Sequence, residues 1–122
     1  MQFSKTVTGQ NATVYLVQDI PVDRETGQPK YNVMGAQKYG NIKVMLPAKA
    51  QMIFSPGPLI FQIREKLKNF KSTDYLLLSG DPAIIGVTCS IVSDMTNGQY
   101  KLLKWDRQEK TYYPIEINIF QK

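Results

Sequence analysis

The stretch Tyr75-Leu-Leu-Leu-Ser-Gly-Asp-Pro82 decides the fold of this chain. Its first five residues, 75–79, are uncharged and mostly apolar, as expected of a strand in a parallel sheet whose two faces are both covered. A helix is predicted to begin directly afterwards, because Asp81 can cap it and Pro82 suits its first turn. A buried strand that leads straight into a helix is the repeating unit of an α/β domain.

Strand and helix patterns alternate on both sides of this stretch. The predicted strands are 13–18, 41–46, 75–79, 100–105 and 111–119, and the predicted helices are 31–39, a segment from Ser55 to Phe70, and 82–97. Pro114 indicates that the last strand lies at an edge, since proline cannot donate a ladder hydrogen bond. The pattern predicts a three-layer α/β/α fold, with a mostly parallel five-stranded sheet and a C-terminal antiparallel edge hairpin.

Composition indicates one α/β domain that covers residues 1–122. Apolar residues make up 43% of the chain and charged residues 20%, which is typical of globular proteins. No secretion signal is expected at residues 1–7, and no membrane segment is expected, because the apolar stretch 75–85 is short and interrupted by Asp81. Cys89 is the only cysteine, so the fold must be stable without a disulfide, which suits a reducing compartment.

The chain contains no histidine, and this limits its chemistry. Ser-His-Asp and Cys-His catalysis are excluded, as is an ordinary zinc site. The chemistry that remains belongs to carboxylates, lysine, tyrosine and the backbone. A metal ion would have to be a hard, oxygen-liganded ion such as magnesium, and no cofactor is expected.

Several stretches resemble a family of small uncharacterised proteins encoded by tailed phages, notably marine ones. They are Lys38-Tyr-Gly40, Tyr75-Leu-Leu-Leu-Ser-Gly-Asp-Pro-Ala-Ile-Ile-Gly86, Leu103-Lys-Trp-Asp-Arg-Gln108 and Tyr113-Pro-Ile-Glu-Ile117, with the lead-in Gly27-Gln-Pro-Lys-Tyr31. The family has no assigned activity and no assigned site residues. The resemblance therefore implies only a phage origin and a location in the host cytoplasm.

Several polar residues follow the predicted parallel strands at their carboxyl ends. Asp19 follows the first strand, Gly80 and Asp81 follow the third, and Asp106 and Arg107 follow the fourth. These residues could converge on one edge of the sheet, where α/β proteins bind ligands. Three carboxylates there could hold a divalent ion for phosphoryl chemistry, and the turn at Gly80 could offer N–H groups to a phosphate. The favoured alternative is structural: a helix cap at Asp81, a hairpin turn at Asp106 and a loop start at Asp19.

Two surfaces could bind a partner without catalysis. The first combines Trp105 and Arg107 with Tyr112 and Tyr113 across the hairpin, a mixture that stacks bases or anchors a protein. The alternative is that Trp105 and Tyr113 close the end of the core. The second surface is a basic cluster at the end of the second helix, composed of Arg64, Lys66, Lys68 and Lys71. It is either a solvated helix end or a phosphate-contacting patch.

The third helix has an unusual outer side. Its only charged residue is Asp94, and one stripe consists of Ala83, Gly86, Ser90 and Ser93. A solvent-exposed helix normally carries lysine and glutamate on that side. The helix is therefore either covered within the domain or packed against a second copy, and we expect a homodimer.

Two functions remain open from the sequence. The preferred one is a non-catalytic phage accessory protein that binds a host protein or nucleic acid. The other is a small metal-dependent phosphodiesterase or nucleotide-handling enzyme that uses Asp19, Asp81 and Asp106.

Overall fold

The computed structural model of this protein describes residues 12–121. Residues 1–11, where no secretion signal is expected, and Lys122 lie outside the described residues. The elements are β1 (Thr13–Gln18), a 3₁₀ helix (Met34–Tyr39), β2 (Asn41–Leu46), α1 (Gly57–Leu67), β3 (Tyr75–Leu77), α2 (Pro82–Met95), β4 (Gln99–Asp106) and β5 (Thr111–Asn118). Their order is the one that the sequence pattern predicts. Among these residues no helix is both long and apolar enough to cross a membrane.

The five strands form one mixed sheet in the order β2-β1-β3-β4-β5. The pairs β1–β2, β1–β3 and β3–β4 are parallel, whereas β4 and β5 form an antiparallel hairpin at the edge. The predicted α/β fold with a mostly parallel sheet and a C-terminal edge hairpin is therefore confirmed. Pro114 lies in the edge strand, where an absent N–H does little harm.

The crossovers explain which face each helix covers. The connection from β1 to β2 runs in one direction across the sheet, and those from β2 to β3 and from β3 to β4 run in the other. Because parallel crossovers are right-handed, the two directions place their connections on opposite faces. The 3₁₀ helix covers one face, which we call the 3₁₀ side, and α1 and α2 cover the other, which we call the helix side.

Two apolar clusters, one on each face, form the core. On the helix side, Ile63 and Leu67 of α1 and Ile84 and Val92 of α2 pack against alternate residues of the strands. The cluster on the 3₁₀ side comprises Val14, Leu16, Ile20, Ala36, Leu77, Leu103 and Tyr112. In the described part of the chain the 3₁₀ helix is the one helical element on this side, so this second layer is thin and leaves part of the sheet near β4 and β5 without a described helix above it.

Some element boundaries differ from the predicted ones for identifiable reasons. β3 ends at Leu77 instead of Ser79, because Ser79 leaves the ladder to exchange hydrogen bonds with the main chain of Gln18. The predicted helix over 31–39 is a 3₁₀ helix that begins only at Met34. Its entry is fixed by Asn32, whose side chain accepts a hydrogen bond from Met34 N at 2.8 Å.

Candidate functional site

The carboxyl edge between β1 and β3 is the point where the crossovers diverge. β1 leads to the 3₁₀ side, whereas β3 leads into α2 on the helix side. In doubly wound sheets this divergence opens the crevice in which ligands bind. In this protein the side chain of Gln18, only 2% exposed, occupies that position.

Gln18 satisfies its whole side-chain amide within the protein. Its Nε2 donates to the carbonyl oxygens of Pro47 at 3.1 Å, Ala48 at 3.1 Å and Ala50 at 2.8 Å. Its Oε1 accepts from the main-chain N–H of Asp81 at 2.7 Å. We call this set of contacts the Gln18 lock. It joins the end of β1 to the loop after β2 and to the start of α2. The Gln18 side chain thus fills the crevice, and an open surface depression of about 340 Å³ remains above it, lined by Gln18, Gly80, Asp81 and residues 48–52.

Asp81 acts as a helix cap and as a tether of the same loop. Its Oδ1 accepts from Ala83 N at 2.8 Å, and its Oδ2 accepts from Met52 N at 3.0 Å. The hydrogen bond from Met52, followed by that from Ala83, lowers the pKa of Asp81, so the group is a carboxylate at neutral pH. A phosphate at this helix start would meet that negative charge, and Pro82 offers it no N–H.

The other two carboxylates of the predicted metal edge are also used locally. Asp19 Oδ1 accepts a hydrogen bond from Ile20 N at 2.9 Å. Asp106 Oδ1 accepts one from Gln108 N at 2.9 Å in the turn between β4 and β5. Arg107 lies in the same turn, and its side chain is exposed. In the part of the chain that the structure describes, no group of three or more His, Cys, Asp or Glu residues could hold a metal ion. Asp19, Asp81 and Asp106 thus share an edge of the sheet without forming a ligand set.

A cavity of about 590 Å³ lies on the 3₁₀ side, below the ends of β3 and β4. We call it the aromatic cavity. Its wall includes Leu16, Leu77, Leu103, Trp105 and Tyr112 from the sheet and residues 31–33 from the loop before the 3₁₀ helix. Its volume is within the range of roughly 300–1,000 Å³ that is common for ligand pockets. It exists because the thin layer on this side leaves the sheet partly uncovered.

Trp105 and Tyr112 form the aromatic side of this cavity. They are directly opposite each other in the hairpin, and their ring centroids are 4.9 Å apart in an edge-to-face arrangement. Tyr112 is 6% exposed, whereas Trp105 is 42% exposed. Tyr113 pairs with Lys104 and projects to the helix side, so it does not join them. The buried aromatic partner of Trp105 is therefore Tyr112 and not Tyr113.

Within residues 12–121, no charged side chain projects into the aromatic cavity. Lys104 is the one charged residue of the described wall, and it alternates along β4 with Leu103 and Trp105, so its side chain projects to the opposite face. Burial, and to a lesser degree the neighbouring Tyr31, raises the pKa of Tyr112 and keeps that phenol neutral. The cavity is suited to apolar groups and to neutral hydrogen-bonding groups.

The basic cluster lies elsewhere on the molecule. It is on the helix side of the sheet, in the last turn of α1 and the residues just after it. All four of its side chains are exposed: Arg64, Lys66, Lys68 and Lys71. The Lys68 ammonium pairs with Glu65 at 4.0 Å on the surface. The basic cluster and the aromatic cavity are therefore on opposite sides of the sheet and do not form one continuous face.

The small-residue stripe of α2 borders a groove between the two α-helices. Ala83, Gly86 and Ser90 are exposed, while Ser93 is half-buried. The groove, about 540 Å³, is also lined by Ile60, Arg64, Val87, Ile91 and Asp94. A methyl group added at Gly86 would have no neighbour within 4 Å among residues 12–121, so these residues leave the stripe open on its outer side.

The Gln18 lock and the loop wall of the aromatic cavity are the parts of the site that sequence reasoning missed. The available signal for the lock was one amide at the end of the otherwise apolar strand Thr13–Gln18. Such a residue has to find partners, because a buried polar group without hydrogen bonds is costly.

Most of this chain is similar to a known protein family. The model of a family described as Phage Pam3 gp32-like protein matches residues 12–119. No curated protein and no solved structure matches the chain.

Proposed function

The chain belongs to the Phage Pam3 gp32-like protein family, and we propose that it is a non-catalytic phage accessory protein that binds a host protein. The observation that carries the proposal is the aromatic cavity, with Trp105 half-exposed at its side. A tryptophan next to a preformed apolar pocket is typical of the anchor positions of protein interfaces. The host cytoplasm is the place where such a partner would be met.

A protein partner is favoured over nucleic acid by the distribution of charge. Single-stranded nucleic acid is bound where stacking rings lie along a cationic groove. The rings of Trp105 and Tyr112 flank an uncharged cavity, and the basic cluster of α1 is across the sheet from them. The alternative enzyme function is not favoured either, because Asp19, Asp81 and Asp106 are each used in a cap or turn.

We expect the partner to be lost when Trp105 is replaced by alanine. The test is co-purification with the tagged chain from expressing bacterial cells. Truncation of a central aromatic anchor costs on the order of 2 kcal/mol or more, so the Trp105→Ala variant should retain at least about tenfold less of the host protein. Thermal unfolding followed by circular dichroism would confirm that the variant is folded.

Tyr113→Ala is the matched control for this experiment. Tyr113 is an aromatic residue of the same hairpin, but its side chain lies on the helix side. This variant should retain the partner. If the two variants lose the same amount of retained host protein, or if nucleic acid is recovered instead of protein, the result would count against the proposed function.

We also propose that the chain forms a homodimer through the groove between α1 and α2. The groove has an unpaired cation and an unpaired anion, since neither Arg64 nor Asp94 is in an ion pair within residues 12–121. In an isologous twofold contact the Arg64 of each copy could face the Asp94 of the other. Light scattering at micromolar concentration should then give twice the 13.9 kDa of one chain.

The Gly86→Glu variant tests this interface without disturbing the monomer. Position 86 has open space around it, so the fold should accept the longer side chain, whereas a charged group in the groove should separate the copies. Gln62→Glu places the same charge on another, exposed side of α1 and should leave the dimer intact. A wild-type chain that is monomeric at micromolar concentration contradicts the proposal.

A further inference from the structure

We infer that the aromatic cavity receives one uncharged, apolar side chain of leucine or phenylalanine type from an extended segment of the partner. This inference rests on the proposed function, since it names the chemistry by which the host protein would be recognised. Three features of the cavity support it: an apolar wall, the lack of a charged side chain among the described residues that project inward, and one phenol group that is poorly hydrogen-bonded.

The wall selects an apolar group. Leu16, Leu77 and Leu103 form the floor on three neighbouring strands, and Trp105 and Tyr112 provide an aromatic side. Removal of apolar surface from water on both partners contributes roughly 25 cal/mol per Å². An aliphatic or aromatic side chain gains this contribution over its whole surface, whereas a polar side chain would gain little.

The absence of charge excludes an ionised ligand. The side chains that project into the cavity are neutral, and no cation in the described wall projects inward to neutralise a carboxylate or phosphate. An ionised group would lose its hydration without gaining a partner, which is strongly unfavourable. Acidic peptides and nucleotides therefore do not fit the aromatic cavity.

The Tyr112 hydroxyl group supplies one directional contact. Its only protein partner among the described residues is the carbonyl oxygen of Asn32, at 3.5 Å, the long limit for a hydrogen bond. A phenol in this position can donate better to a carbonyl oxygen that approaches with the incoming side chain. The backbone carbonyl of an extended segment meets that requirement, and the loop 31–33 forms the opposite wall.

The chain offers a direct reporter for the test, because Trp105 is its only tryptophan. We would titrate the protein with N-acetyl-leucinamide and N-acetyl-phenylalaninamide, excite at tryptophan-selective wavelengths and follow the emission of Trp105. N-acetyl-leucine, which carries a carboxylate, is the matched charged probe. The amides should give a saturable change in the millimolar range, as expected of so small a ligand, and the acid should bind at least about tenfold more weakly.

Two variants locate the binding. Val33→Phe should fill the cavity from the loop side and abolish the saturable change while the emission of Trp105 remains. Tyr112→Phe keeps the ring and removes the hydroxyl group, so it should weaken the binding of the amides by roughly three- to tenfold. If Tyr112→Phe leaves this affinity unchanged, the hydrogen bond to the segment is overturned.

The outcomes separate this inference from the proposed function. Equal binding of the amide and the acid, or no saturable change for either, overturns the inference even if host-protein retention still depends on Trp105. Selective amide binding together with no host protein retained supports the cavity chemistry and overturns the proposed function. Selective amide binding that competes with the retained host protein supports both.

Discussion

The Gly80→Ala variant is expected to lose about 4 kcal/mol of its free energy of unfolding, a large share of the ~5–15 kcal/mol typical of a domain. Gly80 has φ +97°, a conformation that costs an L-residue roughly 1–3 kcal/mol. An added Cβ would overlap Oε1 of Gln18 and lie 2.6 Å from both its Cβ and its Cδ. Gln18 cannot move aside cheaply, because the Gln18 lock fixes its amide at both ends.

Gly27→Ala is the matched control for this prediction. Gly27 also has a positive φ, of +72°, but a Cβ at that position would meet no atom of the described residues within 4 Å. It should lose only the conformational contribution, about 1 kcal/mol. Urea unfolding followed by the emission of Trp105 measures both variants. Similar losses for the two would mean that the contact with Gln18 is not tight.

The order of strands and helices could be predicted because it depends on local patterns. The apolar run at Tyr75, the cap at Asp81 and the proline in the last strand each act over a few residues, and the structure confirms the elements that they indicate. The right-handedness of crossovers then restricts the topology. Such signals require no knowledge of which distant segments meet.

The Gln18 lock could not be predicted in this way, because its partners are distant in sequence. Gln18 contacts residues 47–50 after β2 and the start of α2 more than 60 residues away. A strand pattern does not show which loop will cover its end. The same limit applies to Asp74, a buried carboxylate that accepts hydrogen bonds from Thr13 N and Lys71 N, each at 2.8 Å.

The aromatic cavity could be predicted only in part. The sequence indicates an aromatic cluster of Trp105 with Tyr112 and Tyr113, but it does not show which of the two tyrosines is the buried neighbour of Trp105. In the structure the hairpin register pairs Trp105 with Tyr112, on the 3₁₀ side. Two adjacent tyrosines carry no pattern of their own, and a shift of one residue moves each to the other face. The cavity further depends on the loop 31–33, whose path over the sheet is a tertiary feature.

The Gln18→Glu variant is expected to make stability depend on pH in a direction opposite to that of ordinary carboxylates. The substitution keeps the shape of the side chain but replaces its NH₂ donor with an oxygen that faces the carbonyls of Pro47, Ala48 and Ala50. Burial and these carbonyls should raise the pKa of the new carboxyl group above its ordinary ~4.3. Near pH 7.5 the buried charge should cost roughly 3–5 kcal/mol.

The sign of the pH dependence follows from this raised pKa. Below about pH 4.3 the new carboxyl group is protonated in both the folded and the unfolded chain and can donate one hydrogen bond, so the loss should fall to roughly 1–2 kcal/mol. As the pH rises above that value, the carboxyl group of the unfolded chain loses its proton, whereas that of the folded chain keeps it. The free energy of unfolding therefore decreases with pH until the pH passes the pKa of the folded state. Asp81 has the opposite effect on stability, because its pKa is lowered and the stability that its carboxylate contributes is lost as the pH falls. Each variant is therefore compared with the wild-type chain at the same pH.

Urea unfolding at pH 4 and pH 7.5 measures the effect, and Gln18→Leu serves as the control. The leucine variant has a similar size and no charge, so its loss of about 3 kcal/mol, from carbonyl and N–H groups left without the amide, should be the same at both pH values. The contrary result is a free energy of unfolding of Gln18→Glu that differs from that of the wild-type chain by the same amount at both pH values. That result would mean that the loop 47–52 moves away and lets water hydrate the carboxylate. The crevice between β1 and β3 would then open at a low energetic cost, and a ligand could enter the space that Gln18 occupies in the folded protein.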